Sequence, residues 1–239
     1  MFRTLAKIAG VSGIIAVACF ALALAIGGPQ LRKDGFIFDD SSWDSPDGRG
    51  SAETGRVRAL ANFTGVDVGG GVEASLAVGP AFKVEIEGDH PEQIVTRIDG
   101  SLLKIRPRGH HFWWGGRDLP AVYVEMPALD SIRSSSGAQI NVAGINSDSL
   151  NLVVSSGSQL HAAGKCKMLA LKASSGAEID SSDLACETGR ADASSGSSVK
   201  VRVSEKFDVD ASSGADVRNL GGSKSGEVSL SSGATIQNR

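Results

Sequence analysis

The chain has 239 residues, 24 Lys and Arg against 27 Asp and Glu, and a formal net charge of −3, so no basic surface marks it for nucleic acid. With 30 glycines and only 5% aromatic residues, it is poorly suited to a core built on large rings and well suited to narrow repeats with tight corners. After Tyr123 the only aromatic side chain is Phe207, so any core in the second half is filled by Val, Ile, Leu, Ala and Ser.

Arg3 and Lys7 precede an uncharged run from Ile8 to Leu31, apolar as far as Ile26, with Ala23-Leu24-Ala25 near its end. A basic start, an apolar stretch and an Ala-x-Ala site describe an export signal cleaved after Ala25. The same run is long enough to cross a bilayer as a retained anchor. Either way residues 1–28 act in export or anchoring and the remainder is extracytoplasmic, in the periplasm or at the cell surface. Cys19 fits less well as a lipid acceptor, because the apolar run continues past it. Residues 29–56 turn to Gly, Ser, Asp and Pro with neither a helical nor a strand period, and read as a flexible linker.

Residues 57–239 read as one all-β domain in two parts. In 57–130 apolar residues alternate over short, irregular strands: Val66 and Val68, Leu76 and Val78, Val84 and Ile86, Leu103 and Ile105, Val122 and Val124. In 131–239 the tripeptide Ser-Ser-Gly recurs, with its glycine at Gly137, Gly157, Gly176, Gly196, Gly214 and Gly233, at intervals of 20, 19, 20, 18 and 19 residues. A near-fixed period of this size means stacked repeats. Five positions before each glycine lie Ile132, Leu152, Leu171, Ala191, Val209 and Val228, and three after lie Ile140, Leu160, Ile179, Val199, Val217 and Ile236. The intervening positions are mostly polar. This alternation predicts two short strands per coil, and a repeat of about 19 residues leaves no room for a helix beside them. The fold class is therefore a parallel β-solenoid, with glycine supplying the corner conformation. The second serine of each corner is expected to point inward or sit at the corner, and the first to face solvent.

Cys166 and Cys186 each lie ten residues before a corner glycine, in a slot also assigned to Ser147, Ser204 and Ser223. Stacked positions are about 4.8 Å apart, within the span a disulfide bridges, so a bond and a pair of buried free thiols are both compatible with the spacing.

The opening FTGVDVGGGVEASLAVGPAFKVEIEGD, the segment GDHPEQIVTRIDGSLLKI, the SSGA corners and the tripeptide Gly144-Ile145-Asn146 together resemble the bacterial head GIN domain, the DUF2807-type auto-transporter adhesin family. The resemblance spans roughly residues 57–236. It implies a right-handed, β-helix-like fold in an exported cell-envelope protein and brings no catalytic residues. One departure is visible: the repeats run on to SSGATIQNR with almost no aromatic residues, where an autotransporter needs a membrane β-barrel with aromatic girdles, so self-transport is not expected.

The most unusual local segment is RPRGHHFWWGGR, which interrupts two strands and holds two of the three tryptophans. Arg108, His110, His111, Trp113, Trp114 and Arg117 are candidate ligand-binding residues, since Trp faces stack on sugars and cations and exposed Trp and Arg anchor interfaces. The alternative is a hairpin folded over one end of the solenoid. No zinc spacing, nucleophile elbow, phosphate loop or calcium nonapeptide appears, so no cofactor, metal or catalytic residue is assigned. The leading function is a non-catalytic binding or structural module of the cell envelope, with a glycan or an envelope protein as partner and the membrane reached through the N-terminal segment if it is retained. A glycan-active enzyme on the same scaffold and an anchored envelope sensor are the alternatives. The last coil has no evident cap and is expected to favour homo-oligomers.

Overall fold

The structure, a computed structural model, describes residues 55–108 and 119–239. The export or anchor segment (1–28) and all but the last two residues of the linker (29–56) lie outside the described residues. The strands are β1 (Val57–Arg58), β2 (Gly65–Gly69), β3 (Glu73–Val78), β4 (Lys83–Glu87), β5 (Ile94–Asp99), β6 (Leu102–Pro107), β7 (Ala121–Met126) and β8 (Ser131–Ser135). They continue with β9 (Gln139–Val154), β10 (Gln159–Ala173), β11 (Glu178–Ala193), β12 (Ser198–Ala211), β13 (Asp216–Asn219), β14 (Val228–Leu230) and β15 (Thr235–Asn238).

Parallel pairing stacks these strands into a β-solenoid. On the face before the corner, Leu103, Val66, Ile132, Leu152, Leu171, Ala191, Val209 and Val228 form one vertical column in register. On the face after it, Val122, Ala74, Ile140, Leu160, Ile179, Val199, Val217 and Ile236 form the facing column. From Leu103 to Val209 and from Val122 to Val217 these side chains are essentially without solvent contact. Each buried Val, Ile or Leu contributes about 1.5–3 kcal/mol. The alternation is strict because adjacent residues on a strand point to opposite faces.

The corners explain the tripeptide. Both central residues of each turn are left-handed: Ser175 has φ 55° and Gly176 φ 70°, and the other five repeats match within a few degrees. The fourth residue's N–H reaches back to the first, as in Ala177 N to Ser174 O at 3.2 Å. Two positive φ angles define a type I′ turn, the two-residue connection that reverses a chain most tightly. The glycine N–H then donates to the second serine's carbonyl one rung along, from Gly71 to Ser136 at 2.9 Å through Gly214 to Ser232 at 3.1 Å. The second serine is thus an exposed central turn residue and does not point inward; the first is half-buried and the residue after the glycine enters the core, except at the last corner, where Ser231 is exposed and Ala234 half-buried. That residue is Ala138, Ser158, Ala177, Ser197, Ala215 or Ala234, small because the two faces converge there.

The coil has a third paired side, in addition to the two short strands that the alternation predicts. Ile145, Asn146 and Ser147 pair with Gly164, Lys165 and Cys166, and these with Leu184, Ala185 and Cys186. The chain bends into this side at Gly144 (φ 77°) and Gly164 (φ 138°), where the register shifts and no common tripeptide recurs. The 18-residue interval between Gly196 and Gly214 removes one residue, so Val203 and not Ser204 sits against Cys186.

Rung order departs from chain order at one end. β2 and β3 are joined through Gly70 and Gly71, both left-handed, and are flanked by β6 and β7 on one side and by β8 and β9 on the other. Antiparallel strands then close that end: β5 on β6, β4 on β7 and β1 on β4. Arg58, 2% exposed, ties the two faces together there. It donates from Nη1 to Thr96 Oγ1 at 2.7 Å, from Nη2 to Ile94 O at 2.7 Å and Pro91 O at 3.0 Å, and from Nε to Gly55 O at 2.9 Å.

Two stability effects are expected. Arg58→Met leaves Thr96 Oγ1 and Ile94 O without this donor in the core and should cost about 2–4 kcal/mol in denaturant unfolding. Ser158 is fully buried and its Oγ has no hydrogen-bond partner, whereas Ser197 in the equivalent slot donates to Ala173 O at 3.2 Å. Ser158→Ala, which restores the residue used in most other coils, should raise stability by about 1 kcal/mol; an unchanged or lower melting midpoint would contradict this.

Candidate binding faces

The residues that point outward build two flat polar faces. After the corner, Gln139, Gln159, Glu178, Ser198, Asp216 and Thr235 form one column, and Asn141, His161, Asp180, Lys200, Arg218 and Gln237 the next. Before the corner, the outward residues include Arg133, Val153, Lys172, Asp192, Asp210 and Ser229. Opposite charges neutralise one another along these faces: Arg218–Asp216 at 3.1 Å, Lys200–Asp180 at 3.3 Å, Arg190–Asp192 at 3.3 Å and Lys206–Asp208 at 2.9 Å. Exposed pairs of this kind contribute at most about 1 kcal/mol each. Their effect is to leave faces that are hydrogen-bonding but carry no strong field of either sign.

Two shallow grooves lie on the described surface, one on the face after the corner and one on the third side. One, of about 140 Å³, lies between rungs and is lined by Gln139, Gln159, His161, Glu178 and Asp180. Partial burial of Asp180 works against its charge, but hydrogen bonds from the Ser182 hydroxyl and N–H and the nearby Lys200 outweigh that and hold its carboxyl below the ordinary value. The second groove, of about 330 Å³, runs along the third side past Ser147, Asp148, Lys165, Lys167, Glu187 and Ser204. Its floor is the bond between Cys166 and Cys186, which share a slot on adjacent rungs with Cα atoms 4.6 Å apart and S–S 1.98 Å. Lys167 reaches across it to Asp148 at 2.7 Å. Among the described residues no group of three or more His, Cys, Asp or Glu side chains could hold a metal ion.

Of the ligand-binding residues singled out in the sequence, Arg108 is exposed just past β6, and its N–H donates to Gln93 O at 2.7 Å. His110, His111, Trp113, Trp114 and Arg117 lie outside the described residues. The residues that bracket them are informative. Pro107 packs at Gly70 and Ala121 opens β7, so the connection 108–120 joins the two faces at a rung where the neighbouring layers use a two-residue corner. The insertion therefore leaves from the ridge of corners, at the rung next to the antiparallel strands.

Stacked parallel rungs with a disulfide between adjacent coils define a parallel β-solenoid. The chain belongs to the DUF2807 family, "Putative auto-transporter adhesin, head GIN domain", which matches residues 62–223. Among solved structures it is similar to a "putative adhesin" from Bacteroides fragilis, with 13% identity, a TM-score of 0.56, and coverage of 77% of this chain and 95% of that one. At that identity the likeness is one of fold. It is also similar to a "putative adhesin" from Parabacteroides merdae, with 11% identity, a TM-score of 0.45, and coverage of 80% and 96%. A "Putative lipid binding protein" from Parabacteroides distasonis gives 13% identity, a TM-score of 0.41, and coverage of 80% and 96%. No curated protein matches the chain in sequence.

The bond at the groove floor closes a loop of 20 residues, which restricts the unfolded chain. Replacing both cysteines by serine, or adding reductant, should lower stability by roughly 3 kcal/mol. Equal melting midpoints with and without reductant would contradict this.

Proposed function

We propose that the chain is an extracytoplasmic, non-catalytic adhesin-like module that holds a glycan or an envelope protein against a rigid polar scaffold. The observation that carries this reading is that the connection 108–120 starts and ends where its neighbouring rungs have a corner, and that its sequence holds two tryptophans, two histidines and two arginines. Recognition segments are commonly loops set on rigid frameworks, and Trp with Arg supplies stacking area and directional donors for sugars or for polar protein surfaces. The disulfide supports an oxidising compartment, and the N-terminal apolar run supports export or anchoring.

The test is a binding screen of the purified protein against glycans and envelope proteins, repeated with Trp113→Ala/Trp114→Ala. The expected result is binding weakened about tenfold or more with an unchanged melting midpoint. A lowered midpoint with binding intact would mean that the tryptophans cover the solenoid and contact no ligand. Turnover of a glycan by the purified protein would replace this proposal with the enzyme reading, and retention of residues 1–25 in the mature protein would favour a sensor.

A further inference from the structure

The two ends of the solenoid are finished differently. One is closed by antiparallel strands and by Arg58. At the other, among the described residues, β14 pairs only with β12 and β15 only with β13, so within them the far edges offer unpaired backbone N–H and C=O groups. Core positions that are buried one rung earlier, such as Val209 (4%) and Ala211 (1%), are open here as Val228 (53%) and Leu230 (43%).

Exposed edge strands are usually protected by lysine, inward charge, proline or a bulge. β14 reads Val-Ser-Leu and β15 Thr-Ile-Gln-Asn, with none of these residues. The outward slots also lose their charge at this rung. Asp192 and Asp210 give way to Ser229, Asp216 to Thr235, and Arg218 to Gln237. The charge that remains stands just outside the strands, Glu227 before β14 and Arg239 after β15. Glu227 acts on the charge of Lys206 from beyond ion-pair distance, and among the described residues neither Glu227 nor Arg239 makes an ion pair within 4 Å.

We propose that this end is a homodimer interface in which two copies of the chain meet tail to tail. β14 runs into the Ser231-Ser232-Gly233 corner and β15 runs out of it. A two-fold axis passing through that corner in the plane of the rung sets β14 of each copy antiparallel to β15 of the other. The register that places Leu230 against Ile236 of the second copy also places Glu227 against Arg239, and symmetry makes each contact twice. The contact continues the β-sheet across the interface and buries the open core column. Because the contact is isologous, it closes at two copies. The contact uses only the β14–β15 end, so it does not by itself extend into a filament.

The inference is independent of the ligand-binding proposal and is tested separately. The full chain, purified in mild detergent, is followed by sedimentation as its concentration is raised. The protein mass should double and then stop. Ser229→Lys/Gln237→Lys places two charges outward on the edge strands without touching the core. It should weaken dimerisation about tenfold or more and leave the melting midpoint unchanged at dilutions where the chain is monomeric, while Gln159→Lys, at the Thr235 slot of an inner rung, should leave the dimer intact. Glu227→Arg should also weaken the dimer, and Glu227→Arg/Arg239→Glu should restore it. A monomer at every concentration, a mass that grows without limit, or a dimer indifferent to the edge lysines would each overturn the proposal.

Discussion

Every rung of this protein must turn at the same point along its length, because each backbone hydrogen bond between rungs depends on the strands above and below being in step. A slip of one residue would exchange the inward and outward sets along a whole face. The type I′ corner enforces the match. It fixes two consecutive left-handed residues, and the Gly N–H of one corner is held by the Ser carbonyl of the next, as at Gly157 to Ser175. The left-handed serines are the costly element, since an L-residue there loses about 1 kcal/mol or more relative to glycine. The corner of β2 and β3 avoids that cost by using Gly70 and Gly71.

What lies inside follows from the same constraint. The space between converging faces is narrow beside the corner, so small residues dominate there: Ala173, Ala193 and Ala211 on one flank, where Val154 is the larger exception, and Ala138, Ala177 and Ala215 on the other. Farther from the corner the faces diverge and Leu152, Leu160, Leu171 and Ile179 fill the gap. Flat outer faces are then a by-product: side chains that cannot enter the column stand outward in rows, and neighbouring charges such as Asp216 and Arg218 settle into pairs.

The columns through Leu171 and Val209 were legible in the sequence because the corner tripeptide supplies a ruler and the alternation supplies the facing. Legibility ended wherever the ruler was missing. Gly70-Gly71 takes the place of Ser136-Gly137 but spells a different motif, so nothing in the sequence showed that β2 lies between β6 and β8. The third side bends by a local register shift with no repeated signal, which hid the pairing of Ile145 with Gly164 and the slot of Val203. Arg58 gave no warning either, because its partners are carbonyls of Ile94 and Pro91 and a hydroxyl distant in sequence. For the candidate site, the polar rows were readable as the complement of the apolar columns. The origin of the tryptophan segment on the corner ridge was not, since it depends on which rung β6 and β7 form.

The order in which the layers are written has a consequence for the nascent chain. β2 is among the first strands to be synthesised, yet it pairs with Leu102–Ile105 on one side and with Ser131–Ser135 on the other. Until those residues emerge, both of its edges are bare, and an apolar strand in that condition invites pairing with other molecules. The later coils, whose contacts lie about one repeat away, can zip up locally as they appear. A general chaperone holding the emerging chain would therefore matter most for the first third of the domain and least for the repeats that follow.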